Sequence, residues 1–370
     1  MLASRPDGME VARQPWSLGR RIATSALAFT AIGFIVFAAA GSSDEGRLRG
    51  AGSTLANPIL QRVSTSYQGY LAADRVDPAQ QQGNSADWVA GAGALDYDPV
   101  GSVGGLVRLD DPATVFAVTE VPMSPADLNR EGRMQFPLIL GATAPVVNLD
   151  LGGGTLVLDA GLLSAIYSGQ ITRWSDPAIA ALNGGAALPD QPIAVHHRSD
   201  GSGSSWTFTG YLAQEPGWAP GQAAQMDWPV GEGAKGSRGM IDAVKAVDGA
   251  IGYAEVGQAS RAGLKVVRLV DAGGRTVEPS PETIRAAATV DGWSAETQAT
   301  PPDSEGWPMT ATVYVVMRKD EPQNPRALAF FRYFYAEAAR RADVLGYVPL
   351  PDDTVRAIEA HWGEILNKQS

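Results

Sequence analysis

A chain of 370 residues, 45% hydrophobic and 19% charged, is long enough for two sizeable lobes and too apolar to remain disordered. It has no cysteine, which excludes disulfides, thiolate metal sites, a cysteine nucleophile and a lipid-modified N-terminal cysteine, and its three histidines (His196, His197, His361) leave little for a multi-histidine metal centre. A formal charge of −11 argues against nucleic acid as a partner, because such a site needs a basic footprint.

At the N-terminus, Arg20-Arg21 precede an uncharged run, Ile22 to Ala40, that ends in Ala38-Ala39-Ala40. This pattern reads as a secretory signal cleaved after Ala40, or as an uncleaved anchor just long enough to span a bilayer. Residues 1–43 are therefore set apart as a signal peptide or N-terminal membrane anchor. The body is expected outside the cytoplasmic membrane, periplasmic or extracytoplasmic. There, Asn57 to Leu71 puts Ile59, Leu60, Val63, Tyr67, Tyr70 and Leu71 on one helical stripe, with Pro58 at its start. The Gly-, Gln-, Ala- and Asp-rich segment 72–99 reads as a long loop or insertion. Strands are expected at Val115–Val121, Ile139–Val147, Pro192–His196 and Thr312–Met317. Helices are expected at Leu162–Tyr167, Pro177–Leu182, Ser205–Leu212, Gly239–Val247, Pro325–Arg341 and Asp353–Leu366. The alternation predicts α/β lobes.

Three short stretches share one design, a turn of small and hydroxyl-bearing residues before a helical pattern. They are Gly50-Ala51-Gly52-Ser53-Thr54-Leu55, Gly101-Ser102-Val103-Gly104-Gly105, and Arg198-Ser199-Asp200-Gly201-Ser202-Gly203-Ser204. A helix N-terminus offers unpaired N–H groups and partial positive charge, and glycine lets an anion approach the backbone. Serine and threonine add uncharged donors, while the planar fork of Arg198 suits two oxygens of a tetrahedral oxyanion. Each stretch alone is more often a plain N-cap, Arg198 and Asp200 form a surface pair as readily as a site, and a strand-end carboxylate such as Glu120 is usually solvated. His196 and His197, adjacent on a strand, point to opposite faces and read as structural or surface residues.

The stretches together, and in this order, carry a resemblance. From about Gly50 onward the chain resembles the periplasmic phosphate-binding proteins of bacterial phosphate ABC transporters. The likeness runs through the three turns, Phe136-Pro137, Ile166-Tyr167-Ser168-Gly169-Gln170-Ile171-Thr172-Arg173-Trp174, Gly249-Ala250-Ile251-Gly252-Tyr253 and Trp307-Pro308-Met309-Thr310. It implies a two-lobe α/β periplasmic-binding-protein (type II) fold with two crossovers and a ligand cleft between the lobes. Lobe I would be 44–138 plus 306–370, and lobe II 139–305. It further implies inorganic phosphate as ligand, with arsenate as its near copy, permease subunits of an ABC importer as partners, a monomeric state, and no cofactor, metal or catalytic residue. Thr54 and the N–H of Leu55 match the first ligand turn, although the family usually has Phe at Leu55. Ser102 matches the second turn, and Arg198, Asp200, Ser202, Gly203 and Ser204 the third. Glu120 stands where the family usually has Asp. Two other readings remain open: a secreted phosphate-ester hydrolase with Ser202 or Ser204 as nucleophile, and a membrane-tethered phosphate sensor. The hydrolase lacks a Gly-x-Ser-x-Gly elbow and an evident base or Lewis acid.

Overall fold

The computed structural model describes residues 47–74, 95–288, 293 and 306–367. The segment set apart as signal or anchor, including the apolar run 22–40, and most of the 72–99 segment lie outside the described residues. No helix among the described residues is long and apolar enough to cross a membrane.

From Leu48 onward, strands and helices alternate. Strand β1 (Leu48–Gly52) leads into α1 (Asn57–Asp74), then β2 (Leu95–Asp98), α2 (Ser102–Arg108), β3 (Phe116–Thr119) and α3 (Pro125–Arg130). The long β4 (Arg133–Asn148) follows, then β5 (Val157–Leu158), α4 (Ala160–Tyr167), α5 (Pro177–Leu182), β6 (Ala194–Arg198), α6 (Gly203–Leu212), β7 (Glu232–Ala234), α7 (Gly236–Ala246) and β8 (Ala250–Glu255). The remainder is α8 (Val256–Arg261), β9 (Lys265–Val266), β10 (Arg268–Val270), β11 (Thr276–Val277), α9 (Pro281–Ala287), β12 (Thr310–Arg318), α10 (Asn324–Arg341) and α11 (Asp352–Asn367).

The main sheet has the order β2-β1-β3-β12-β4-β8-β6-β7, with β9 on the side of β4. β1 is parallel to β2 and β3, and β6 is parallel to β7 and β8. β4 serves both ends of the sheet. Its residues Arg133–Ala142 pair antiparallel with β12, and Thr143–Asn148 pair antiparallel with β8. The body is thus two α/β lobes that share one strand. The chain leaves the first lobe through β4 and re-enters it at β12. β4 is buried along nearly its whole length, which explains its run of apolar residues. Pro137 sits within it without an N–H to offer, and the register with β12 slips between Val313 and Tyr314 opposite that point, a bulge that absorbs the missing donor.

Most predicted elements appear where periodicity put them, with informative differences. Ile59, Leu60, Val63 and Tyr67 of α1 are buried, but Tyr70 is 53% exposed, its ring 6.0 Å from that of Tyr67 and 5.1 Å from that of Tyr333. Within the segment read as loop, β2 is a strand, with Leu95 and Tyr97 buried and Asp96 and Asp98 exposed. Its four residues are too short a period-2 pattern to stand out beside a Gly-rich stretch. α2 begins at Ser102, so the second Gly/Ser turn is itself the helix's first turn.

Gly105 is where α2 meets β1. A Cβ there would lie 2.4 Å from Cα of Gly52 and 2.8 Å from the carbonyl of Ala51. Backbone cannot yield as a flexible side chain can, so Gly105→Ala is expected to lower stability by about 1–3 kcal/mol. Urea denaturation measures it, and an unchanged midpoint would mean that α2 can ride off the strand at no cost.

Candidate functional site

The polar residues singled out from sequence lie at the carboxyl ends of parallel strands, where an α/β sheet leaves a crevice. β1 ends at Gly52 and delivers Ser53 and Thr54; β3 ends at Thr119 and delivers Glu120; β6 ends at Arg198; β7 ends at Ala234, just before α7. The first two strands belong to one lobe and the last two to the other.

In the first lobe, Glu120 is the centre of a small network. Its carboxylate accepts hydrogen bonds from the hydroxyls of Ser53 and Ser102, the latter at 2.5 Å, and all three residues are buried. Burial pushes the Glu120 carboxyl above the ordinary carboxylate range, opposed by the bonds from Ser102 and Ser53 and the positive charge of Arg198. Gly101 holds φ +90°, and a Cβ there would sit 2.7 Å from Oδ2 of Asp200 and from the carbonyl of Gly201, so the two lobes' turns approach closely only because this residue is glycine.

In the second lobe, Arg198 is 4% exposed and bound to Asp200 through two bonds. Nε donates to Oδ1 at 2.7 Å and Nη2 donates to Oδ2. Asp200 also accepts from the N–H of Gly236 at 3.0 Å. Burial works against its charge, but the bond and charge of Arg198, with the Gly236 N–H, hold the carboxyl below its usual value. The backbone N–H of Arg198 donates to the hydroxyl of Tyr253 at 2.9 Å, which anchors the strand end. Ser202 caps α6 by accepting from the N–H of Ser205 at 3.3 Å, while Gly203 and Ser204 form the first turn and are buried.

The two halves touch at these residues. Nη2 of Arg198 donates to Oγ1 of Thr54 at 3.3 Å, and the N–H of Gly203 donates to Oγ of Ser102 at 3.1 Å. A Cβ on Gly203 would fall 1.5 Å from Oε2 of Glu120, so the carboxylate lies directly on the N-terminal turn of α6. Leu55 is buried, and its carbonyl accepts from the hydroxyl of Tyr347 at 2.6 Å and from Nε2 of Gln258 at 3.2 Å.

All nine residues expected at the site thus lie in or beside one cluster. Sequence reading passed over Ser53, although it stands within the first turn, and Ser237, whose hydroxyl lies 2.8 Å from Oγ1 of Thr54. The signal for Ser237 was present, since Lys235-Gly236-Ser237 repeats the small-residue design before a helix. The apolar period that marked the helix begins only at Met240, whereas α7 starts at Gly236. His196 is buried and His197 stacks on Trp228, with ring centroids 5.2 Å apart. Among the described residues no group of three or more His, Asp or Glu side chains is placed to hold a metal ion.

Next to the site, Glu255 caps α8 from complete burial, accepting from the N–H groups of Gly257 at 2.6 Å and Gln258 at 2.7 Å. Burial outweighs these bonds and pushes its carboxyl up to about 7. An acid whose folded-state value is raised favours folding most below its unfolded value and loses that contribution as pH rises through the folded one. Stability owed to Glu255 should therefore fall between pH 4.5 and about 7, by a few kcal/mol at most. Denaturation of the parent and of Glu255→Gln across this range tests it. Beyond any constant offset, the parent should lose stability relative to the variant, and parallel curves would contradict the assignment.

The model of the PBP superfamily domain matches residues 38–338. The chain is 37% identical over 293 residues to "Phosphate-binding protein PstS" of Xylella fastidiosa (strain 9a5c), a match covering 75% of this chain and 80% of the relative. It is 33% identical over 327 residues to the protein of the same name from Pasteurella multocida (strain Pm70), covering 85% and 89%. Among solved structures, the phosphate-binding protein of Stenotrophomonas maltophilia superposes with a TM-score of 0.59 at 18% identity, covering 85% of this chain and 93% of that one. A phosphate ABC transporter substrate-binding protein of Clostridium perfringens, described with bound phosphate, gives 0.56 at 15% identity, covering 82% and 100%. The two structures speak to the fold, the closer sequence matches to descent: the chain belongs to the family of the PstS phosphate-binding proteins, within the PBP superfamily.

Proposed function

We propose that this chain binds inorganic phosphate between its lobes, outside the cytoplasmic membrane, and delivers it as a monomer to the permease subunits of an ABC-type importer. The observation that carries the reading is the convergence of Thr54, Ser102 and Glu120 from one lobe with Arg198, Asp200 and the first turn of α6 from the other. Donors dominate: the Thr54 hydroxyl, a guanidinium and a helix N-terminus in an acidic protein select an anion, while Ser102 gives its proton to Glu120. Glu120 adds one acceptor, which fits an anion that still carries a proton near neutral pH. Arsenate has the same charge and nearly the same shape and should enter the same site. The ligand residues are taken as Thr54, Leu55, Ser102, Glu120, Arg198, Ser202, Gly203 and Ser204, with Asp200 acting through Arg198. The lobe boundaries are taken as 44–138 with 306–370, and 139–305; the change of partner strand along β4 between Ala142 and Thr143 supports a division near residues 138–139.

Nothing in the site favours a hydrolase. Nδ1 of His197 lies 3.1 Å from the carbonyl of Arg198 and its ring is stacked on Trp228, which leaves Ser202 and Ser204 without an evident base. Calorimetric titration of the ligand-free protein with phosphate, sulfate and a chromogenic phosphate ester separates the readings. Tight phosphate binding without turnover of the ester is expected. Turnover, or no heat with phosphate, would refute the proposal.

A further inference from the structure

We propose that Ser237 is a positioning residue of the anion site: its hydroxyl, in the first turn of α7, donates to Thr54 across the cleft and so turns the single Thr54 proton toward the ligand. The inference rests on the phosphate-binding reading above and adds a fourth turn to the three that the sequence displays.

Thr54 Oγ1 has one proton to give and two lone pairs to receive. The guanidinium of Arg198 can only donate, so its Nη2, 3.3 Å away, takes one lone pair. Ser237 Oγ, 2.8 Å away, either accepts the Thr54 proton or donates to the second lone pair. In the first arrangement Thr54 has nothing left for an anion and would turn a filled lone pair toward it. In the second, both lone pairs are occupied and the proton must point elsewhere. Only the second makes Thr54 a donor, as a bound oxyanion demands.

Placement favours a fixed role for Ser237. The residue is 4% exposed, so its hydroxyl does not exchange freely with water. The preceding Gly236 has φ +69° and gives its N–H to Asp200, the carboxylate that holds Arg198. One turn of α7 thus holds both neighbours of the Thr54 hydroxyl. The guanidinium is fixed through Asp200, and the second partner is Ser237 itself.

The test is a double-mutant cycle read by phosphate titration of the full chain. Ser237→Ala should weaken phosphate binding about three- to tenfold, the effect of one buried hydrogen bond. In a Thr54→Ala background the same substitution should cost less than twofold, because its effect passes through that hydroxyl. Ser237→Thr, which keeps the hydroxyl, should retain most of the affinity, and this guards against a mere packing defect in α7. Equal losses from Ser237→Ala in both backgrounds, or a Ser237→Thr variant as weak as Ser237→Ala, would overturn the assignment. Failure of the parent chain to bind phosphate would instead remove the functional reading on which it rests.

Discussion

Arg198→Ala is expected to weaken phosphate binding by about 2–5 kcal/mol, the range for truncating one partner of a buried charge pair. That corresponds to roughly 30-fold to several-thousandfold in affinity. Two effects add. Arg198 is 4% exposed, and its guanidinium has five N–H donors, of which Nε and Nη2 hold Asp200 while Nη2 also reaches Thr54. The donors on Nη1 are those available to an anion, and alanine removes them. It also uncovers Asp200, whose side chain is only 12% exposed and would keep the Gly236 N–H as a partner while facing the ligand with an unbalanced negative charge. The second effect can be isolated. Arg198→Ala combined with Asp200→Asn should bind phosphate better than Arg198→Ala alone, because the repelling charge is gone. Calorimetry decides both points, and unchanged affinity in the single variant would remove Arg198 from the site.

Much of this arrangement is legible in the chain before any coordinates, because it is built from local rules. Small residues before an amphipathic pattern mark helix N-termini that can accept an anion, and the order of three such turns carries the family resemblance. What the sequence does not display is which hydroxyls meet. Ser53 and Ser102 converge on Glu120 from residues 67 and 18 positions away, and Thr54 meets Ser237 across 183. Such pairings depend on the strand order, above all on β4 changing partners from β12 to β8 partway along its length. Periodicity marks only Ile139–Val147 of β4 as a strand and contains nothing that says it joins two lobes. The exposure of Tyr70 has a similar origin, since the helical stripe places it on the inner side and only its ring contacts, stacked on Tyr67 and tilted against Tyr333, show that the packed face ends there. Ser237 was missed for a different reason. Periodicity starts that helix at Gly239, whereas α7 begins at Gly236, so its first turn, with Ser237, falls outside the pattern.

If the chain binds phosphate as proposed, its selectivity against sulfate should turn on Glu120. A buried site for a fully ionised anion should contain donors only, since a carboxylate facing the anion repels it. Phosphate near neutral pH keeps at least one proton, and that proton needs an acceptor. On the proposed function Glu120 would supply it, since it lies on the first turn of α6 with its oxygens held by Ser53 and Ser102. Sulfate brings no proton, so it would set a bare oxygen against a buried charge. Leaving a buried polar group unpaired costs about 1–3 kcal/mol, and more when it is charged, so phosphate should be preferred roughly tenfold to a hundredfold or more at neutral pH. The preference should also shrink in acid. Burial raises the carboxyl above its ordinary 4.5, and once protonated it can donate to sulfate as readily as it accepts from phosphate. Glu120→Gln should reproduce that state at every pH, because its amide carries a donor, and its selectivity should be both smaller and flat. Competition titrations of the parent and the variant at neutral and acidic pH measure all of this. Equal binding of the two anions by the parent at neutral pH would sink the role of Glu120, and a preference unchanged by Glu120→Gln would move the proton's acceptor elsewhere in the site.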